Sequence, residues 1–168
     1  MERKKAVVLK AVEIEKARRA YRQRLNPRSL FHGTGLASRA GLARAGVSIA
    51  WLPPGKESFA YHAHHFEEEW IYILEGQVVS EADGEETVLE PGDFVAFPTP
   101  SVPHILKNTF ERDCVYLMGG ERRELDVIDY PRLGKTYLLR SAAGPTDFHE
   151  LGPAEHPFGP AEGEGGSM

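Results

Sequence analysis

From about Gly41 onward the chain is broken, again and again, by glycine, proline and aspartate into short apolar runs. They cover residues 46–52, 58–64, 69–74, 77–82, 86–89, 93–97, 104–108 and 114–118. None has the length of an amphipathic helix, so each reads as a strand. Pro53-Pro54-Gly55 and Pro91-Gly92 mark turns. Asp83-Gly84, between two of the runs, predicts a two-residue type I′ hairpin. Eight strands at roughly ten-residue spacing predict an all-β barrel, a jelly roll or double-stranded β-helix.

The flanks read differently. Residues 5–12 alternate loosely and suggest a short strand, and residues 13–25 suggest one or two helical turns before Asn26-Pro27. Residues 135–140 offer one more strand, whereas 143–168, rich in Gly, Pro and Glu, read as an extended acidic tail. The expected organisation is an N-terminal arm over 1–40, a barrel over 41–125 and a C-terminal extension over 126–168. Net charge is −5, yet residues 1–28 hold ten Lys or Arg against three Glu. That arm is too short for a helix-turn-helix and lacks base-stacking aromatics, so no nucleic-acid partner is expected. A solvated basic face that packs on an acidic neighbour is the simpler reading. No apolar run approaches a membrane span and no secretory leader is apparent, so a cytoplasmic protein is expected. Cys114 is alone, which rules out an internal disulfide and a cysteine-rich zinc site.

The chemistry concentrates in His62-Ala-His64, Glu69 and His104. Side chains two apart on a strand share a face, so His62 and His64 point together with Ala60. On the following runs Glu69 aligns with Ile71 and Ile73, and His104 with Leu106 and Asn108, leaving Lys107 outside. Three strands can thus turn imidazoles and a carboxylate into one interior, a donor set that suits a divalent transition metal.

The same residues resemble two motifs of the cupin superfamily. The first, Gly-x5-His-x-His-x3–4-Glu-x6-Gly, is matched by Gly55, His62, His64, Glu69 and Gly76, with one extra residue after Gly55. The second, Gly-x5-Pro-x-Gly-x2-His-x3-Asn, is matched by Gly92, Pro98, His104 and Asn108. Pro100 stands in the glycine place, and one residue is inserted before His104. The match spans about residues 46–118. It implies the cupin barrel and, as metal ligands, His62, His64, Glu69 and His104, with one Mn, Fe, Ni or Zn ion. Of the three consecutive carboxylates Glu67, Glu68 and Glu69, spacing and strand parity favour Glu69, with Glu68 the rival. The wider sequence is similar to a group of single-domain bacterial cupins, some labelled sugar-phosphate isomerases.

Other residues have weaker claims. His65 reads as a rim group, and His32, His149 and His156 as solvated histidines of loops or tails. Tyr61, Trp70 and Tyr72 have the opposite parity and are expected to pack against a second subunit or a terminal arm, which implies a homodimer. Asn108 either orients a ligand or pins a strand end, and Trp51 and Phe94 either line a cavity mouth or fill the core. Neither a serine-hydrolase elbow nor a phosphate-binding loop occurs. The expected function is metal-dependent chemistry on a small polar, possibly sugar-like, molecule, with isomerisation favoured and no catalytic residue assigned. The alternatives are an Fe-dependent dioxygenase and a non-catalytic binding or sensing module.

Overall fold

The computed structural model describes residues 5–141 and 147–152. In chain order the N-terminal segment forms α1 (Ala11–Lys16), β1 (Arg19–Tyr21), β2 (Phe31–Gly35) and α2 (Leu36–Arg39). The following strands are β3 (Ala45–Leu52), β4 (Ala63–His64), β5 (Glu69–Glu75), β6 (Val78–Ala82) and β7 (Glu85–Leu89). Then come β8 (Phe94–Phe97), β9 (His104–Lys107), β10 (Cys114–Glu121), β11 (Leu125–Tyr130), β12 (Lys135–Arg140) and β13 (Asp147–Leu151). No helix among the described residues is long and apolar enough to cross a membrane.

All strand pairs are antiparallel, as expected of a jelly roll. One sheet runs β1-β2-β3-β10-β5-β8; opposite lie the shorter sheets β13-β12-β11-β4 and β7-β6-β9. A bridge between His62 and His104 stitches the two shorter sheets together, each main-chain N–H donating to the other's carbonyl at 3.2 and 2.8 Å. Between the layers Leu52, Ile73, Val78, Leu106, Cys114 and Tyr116 form the main core, nearly all of them fully buried. Fully burying one such aliphatic side chain contributes about 1.5–3 kcal/mol.

The turns follow their residues. Asp83 and Gly84 both have positive φ, 50° and 82°, which is the type I′ geometry that lets the β6–β7 hairpin close with Ala82 opposite Glu85. Gly76 ends β5 at φ +74°, and a side chain there would run into the main chain at Asp113.

Several local expectations need correction. Residues 58–64 are not one strand: only Ala63–His64 is paired as β4, preceded by a bend and isolated bridges at Glu57 and His62. The bend lets Ser58 serve two strangers, its main-chain N–H donating to Leu106 O at 3.0 Å and its carbonyl accepting from Ser29 Oγ at 2.6 Å. The N-terminal strand over 5–12 is replaced by irregular chain and the start of α1, whose first turn is held by the Lys10 N–H donating to Glu13 Oε2 at 2.8 Å. Helix does not continue to Leu25, because Arg19–Tyr21 pairs with β2 as an edge strand; tertiary pairing overrides a weak propensity. The expected tail contains a strand at Asp147–Leu151, where Lys135 Nζ and Glu150 meet at 2.8 Å across the β12–β13 pair. The remaining tail residues, His156 among them, lie outside the described residues.

Candidate functional site

β5 brings Glu69 to the inner face beside Ile71 and Ile73, as its alternation dictates. The bridge between His62 and His104 sets their two rings 4.7 Å apart. His64 follows on β4. The result is convergence on one atom. Glu69 Oε2 lies 3.2 Å from His104 Nε2, 3.3 Å from His64 Nε2 and 3.7 Å from His62 Nε2. All three imidazoles are buried. His62, Glu69 and His104 offer donor atoms within 4.8 Å of one another. Glu68, by contrast, is exposed; Glu69 places one carboxylate oxygen at all three imidazoles, and Glu67 lies near His64 alone, in a second group with Asp126 whose donor atoms are within 4.8 Å of one another. The inserted residue before His104 does not displace its ring, which stacks on Phe97 with centroids 3.6 Å apart.

Each far ring nitrogen has an acceptor. His62 Nδ1 faces Ala60 O at 2.8 Å, His104 Nδ1 faces Val102 O at 3.0 Å, and His64 Nδ1 faces Asp126 Oδ2 at 2.5 Å. An acceptor at Nδ1 fixes the proton there, so each neutral ring turns a lone pair at Nε2 toward Glu69, itself an acceptor. Lone pairs facing lone pairs in a buried site require a cation among them, either protons or a metal ion. For His62, burial disfavours the charged ring, and the Glu69 carboxylate offsets this only in part, so its pKa falls below the ordinary 6.5. For His64, burial acts the same way, but the hydrogen bond to Asp126 and the charge of Glu69 outweigh it and raise the pKa. Burial pushes Glu69 up, yet the imidazoles gathered at its carboxylate, His104 and His62 foremost, favour the ionised form when they carry protons and hold it well below 4.5. Three oriented imidazoles and an ionised carboxylate fit a mononuclear divalent metal.

Asp126 is the residue that sequence reasoning missed. It is fully buried on β11 and also accepts the main-chain N–H groups of Phe66 at 2.9 Å and Val127 at 2.8 Å. The only signal was alternation in Asp126, Ile128 and Tyr130, all buried on one face of that strand. Tyr130 continues the support: its ring stacks on His62 at 6.0 Å, burial pushes its phenol up to about 12, and its hydroxyl accepts from Gln23 Nε2 at 3.3 Å.

The imidazoles open into a cavity of about 340 Å³, lined also by Glu67, Tyr116, Met118 and Arg122. Glu67 is buried, and its Oε1 accepts from Arg123 N at 2.6 Å; burial raises its pKa. Trp70 keeps the opposite parity: its ring covers Gly119 of β10 and meets the exposed Phe94 at 6.0 Å. Tyr61 lies under the Arg132 guanidinium at 3.9 Å, and Tyr72 is exposed. Asn108 is spent on the main chain, donating to Leu52 O and Arg112 O at 2.7 and 2.8 Å and accepting from Phe110 N at 3.0 Å, so it pins the strand end. Trp51 is covered by Arg18 at 4.3 Å, and Phe94 is exposed; neither lines the cavity. His65 pairs with Asp129 at 2.7 Å on the surface, while His32 and His149 sit on β2 and β13 instead of loops.

Comparison with known proteins agrees with this architecture. Residues 49–120 match the cupin domain family model. A crystal structure from Acidithiobacillus ferrooxidans, provisionally described as a sugar phosphate isomerase, is 33% identical over 84% of this chain and 90% of its own, with a TM-score of 0.76. A cupin-superfamily sugar phosphate isomerase from Silicibacter pomeroyi is 26% identical over 79% of this chain and 84% of its own, with a TM-score of 0.69. A Thermotoga maritima protein, provisionally an oxalate decarboxylase, shares the fold at 22% identity and a TM-score of 0.58, over 70% of this chain and 100% of its own. A search of curated proteins returns no match.

Proposed function

The chain belongs to the cupin superfamily, and we propose that His62, His64, Glu69 and His104 hold one divalent transition-metal ion at which a small sugar-like carbonyl compound is isomerised. The observation that carries this reading is the approach of three Nε2 atoms to a single carboxylate oxygen, each ring oriented by an acceptor behind it. A bound divalent ion supplies Lewis acidity that polarises a carbonyl oxygen. The similarity to two proteins described as sugar phosphate isomerases supports the substrate class.

Isomerisation requires a group that takes a proton from the carbon next to the carbonyl and returns it to the neighbouring carbon. Glu68 and His65 are exposed, and the Tyr61 hydroxyl is engaged by Gly84 N at 3.0 Å. Glu67 and Glu121 both line the cavity without belonging to the four ligands. Glu121 is held by Arg123 at 3.1 Å, whereas Glu67 is buried, and its raised pKa suits a base that must also act as an acid. The same reading takes the protein as a cytoplasmic homodimer, supported by the unpaired thiol of Cys114 and by the exposed apolar surface of Tyr72, Leu74 and Phe94 on β5 and β8.

The test is turnover of aldose and ketose phosphates by metal-loaded protein without oxygen, followed by NMR in deuterated water. Deuterium is expected at the exchanged carbon, and Glu67→Gln is expected to slow turnover by about 10²–10⁴-fold while metal content is kept. Oxygen consumption with Fe(II), and no isomerised product, would instead make this a dioxygenase.

A further inference from the structure

Alternation on β10 turns Cys114, Tyr116, Met118 and Gly120 inward, and the next member of that row is Arg122. Gly120 pairs with Glu69 on one side and with Gly46 of β3 on the other. At the level of the Glu69 carboxylate, the inner face across β10 and β3 therefore carries no side chain of its own. The bareness at Gly120 is required, because a Cβ there would strike the carbonyl of Glu68. The result is bare backbone at Gly120 leading from the imidazoles toward Gly46, which lies two strand spacings or about 10 Å from Glu69.

Arg122 closes the far end. Its Nε lies 3.5 Å from where a Gly46 Cβ would stand, so the guanidinium stem crosses the inner side of that glycine. Arg122 is the one Lys or Arg among the described residues that line the cavity. Among those residues no carboxylate pairs with it; the adjacent Glu121 is taken by Arg123 at 3.1 Å. A guanidinium without a carboxylate partner, at the end of a cavity, is a fork of donors suited to phosphate or carboxylate oxygens.

We propose that Arg122, lying over Gly46, binds the anionic end of the substrate and selects phosphorylated over neutral polyols, with the bare backbone at Gly120 beneath the carbon chain between it and Glu69. This rests on the function proposed above for its substrate class, but it is read out by binding alone. The probes are ribitol 5-phosphate and ribitol, neither of which can isomerise, titrated calorimetrically into the full-length metal-loaded protein. The phosphate is expected to bind at least tenfold more tightly than ribitol. Arg122→Gln is expected to abolish that preference, Arg122→Lys to retain part of it, and Gly46→Val to weaken the phosphate by displacing the Arg122 stem. Equal affinities, an Arg122→Gln protein that still prefers the phosphate, or no binding of either probe would overturn the assignment. Preserved discrimination in a protein that isomerises nothing would support the anion site and count against the isomerase reading alone.

Discussion

Asp126 does for His64 what main-chain carbonyls do for His62 and His104: it fixes the proton on Nδ1 and aims Nε2 into the site. Unlike a carbonyl, it carries charge and makes the ring a stronger donor. Asp126→Asn, nearly equal in size, is therefore expected to lower metal affinity about 10–100-fold, measured by competition against a chromophoric chelator. Unchanged affinity would remove Asp126 from the account. Acid attacks the same ring first. His64 is held above 6.5 and His62 below it, so with falling pH the proton goes to His64 before His62. Because ligating imidazoles must be neutral, metal affinity should weaken as pH falls through the raised His64 value, and a flat profile would contradict the donor set. The convergence of His62, His64, Glu69 and His104 was legible because the alternation along β5 and β9 and the close spacing of the first two histidines point them inward without knowledge of the fold. Asp126 was not, because its partner lies 62 residues away in sequence.

At the scale of elements, the strands that were readable were those bounded by turn residues, such as β6 and β7 around Asp83-Gly84. Those missed, β1, β2, β11 and β13, depend on partners that only the fold supplies: β1 on β2, β2 on β3, β11 on β4 and β12, and β13 on β12. The bend before β4 escaped for a similar reason, since its main-chain groups are satisfied by distant residues. One cross-element network has a measurable weight. Glu81 of β6 is buried, with Oε2 in an ion pair 2.6 Å from Lys107 Nζ of β9 and Oε1 accepting from Arg132 beyond β11. Burial raises its pKa, but the two cations outweigh this and hold the carboxyl below 4.5. The stabilisation is thus present above about 4.5 and lost as pH falls through the lowered value. Glu81→Gln is expected to cost about 2 kcal/mol in denaturant unfolding at neutral pH. The difference from the native protein should shrink below about pH 4.5, and a constant difference would rule out the charge as its source.

For the whole molecule, two antiparallel layers bury an apolar core at one end and hold a cavity with buried imidazoles at the other. The arm contributes to both. Arg18 covers Trp51, Thr34 Oγ1 donates to Ile14 O at 2.9 Å, and Gln23 reaches the cavity and bonds Tyr130. The central claim is that the imidazole–carboxylate cluster exists to hold a metal. Its most direct test is elemental analysis of protein purified without an affinity tag, then reconstituted with Mn, Fe, Ni or Zn, alongside His62→Ala and His104→Ala. About one tightly held ion per chain is predicted for the native protein, and little for either variant. A native protein that takes up none of these ions, or variants that retain full occupancy, would contradict it.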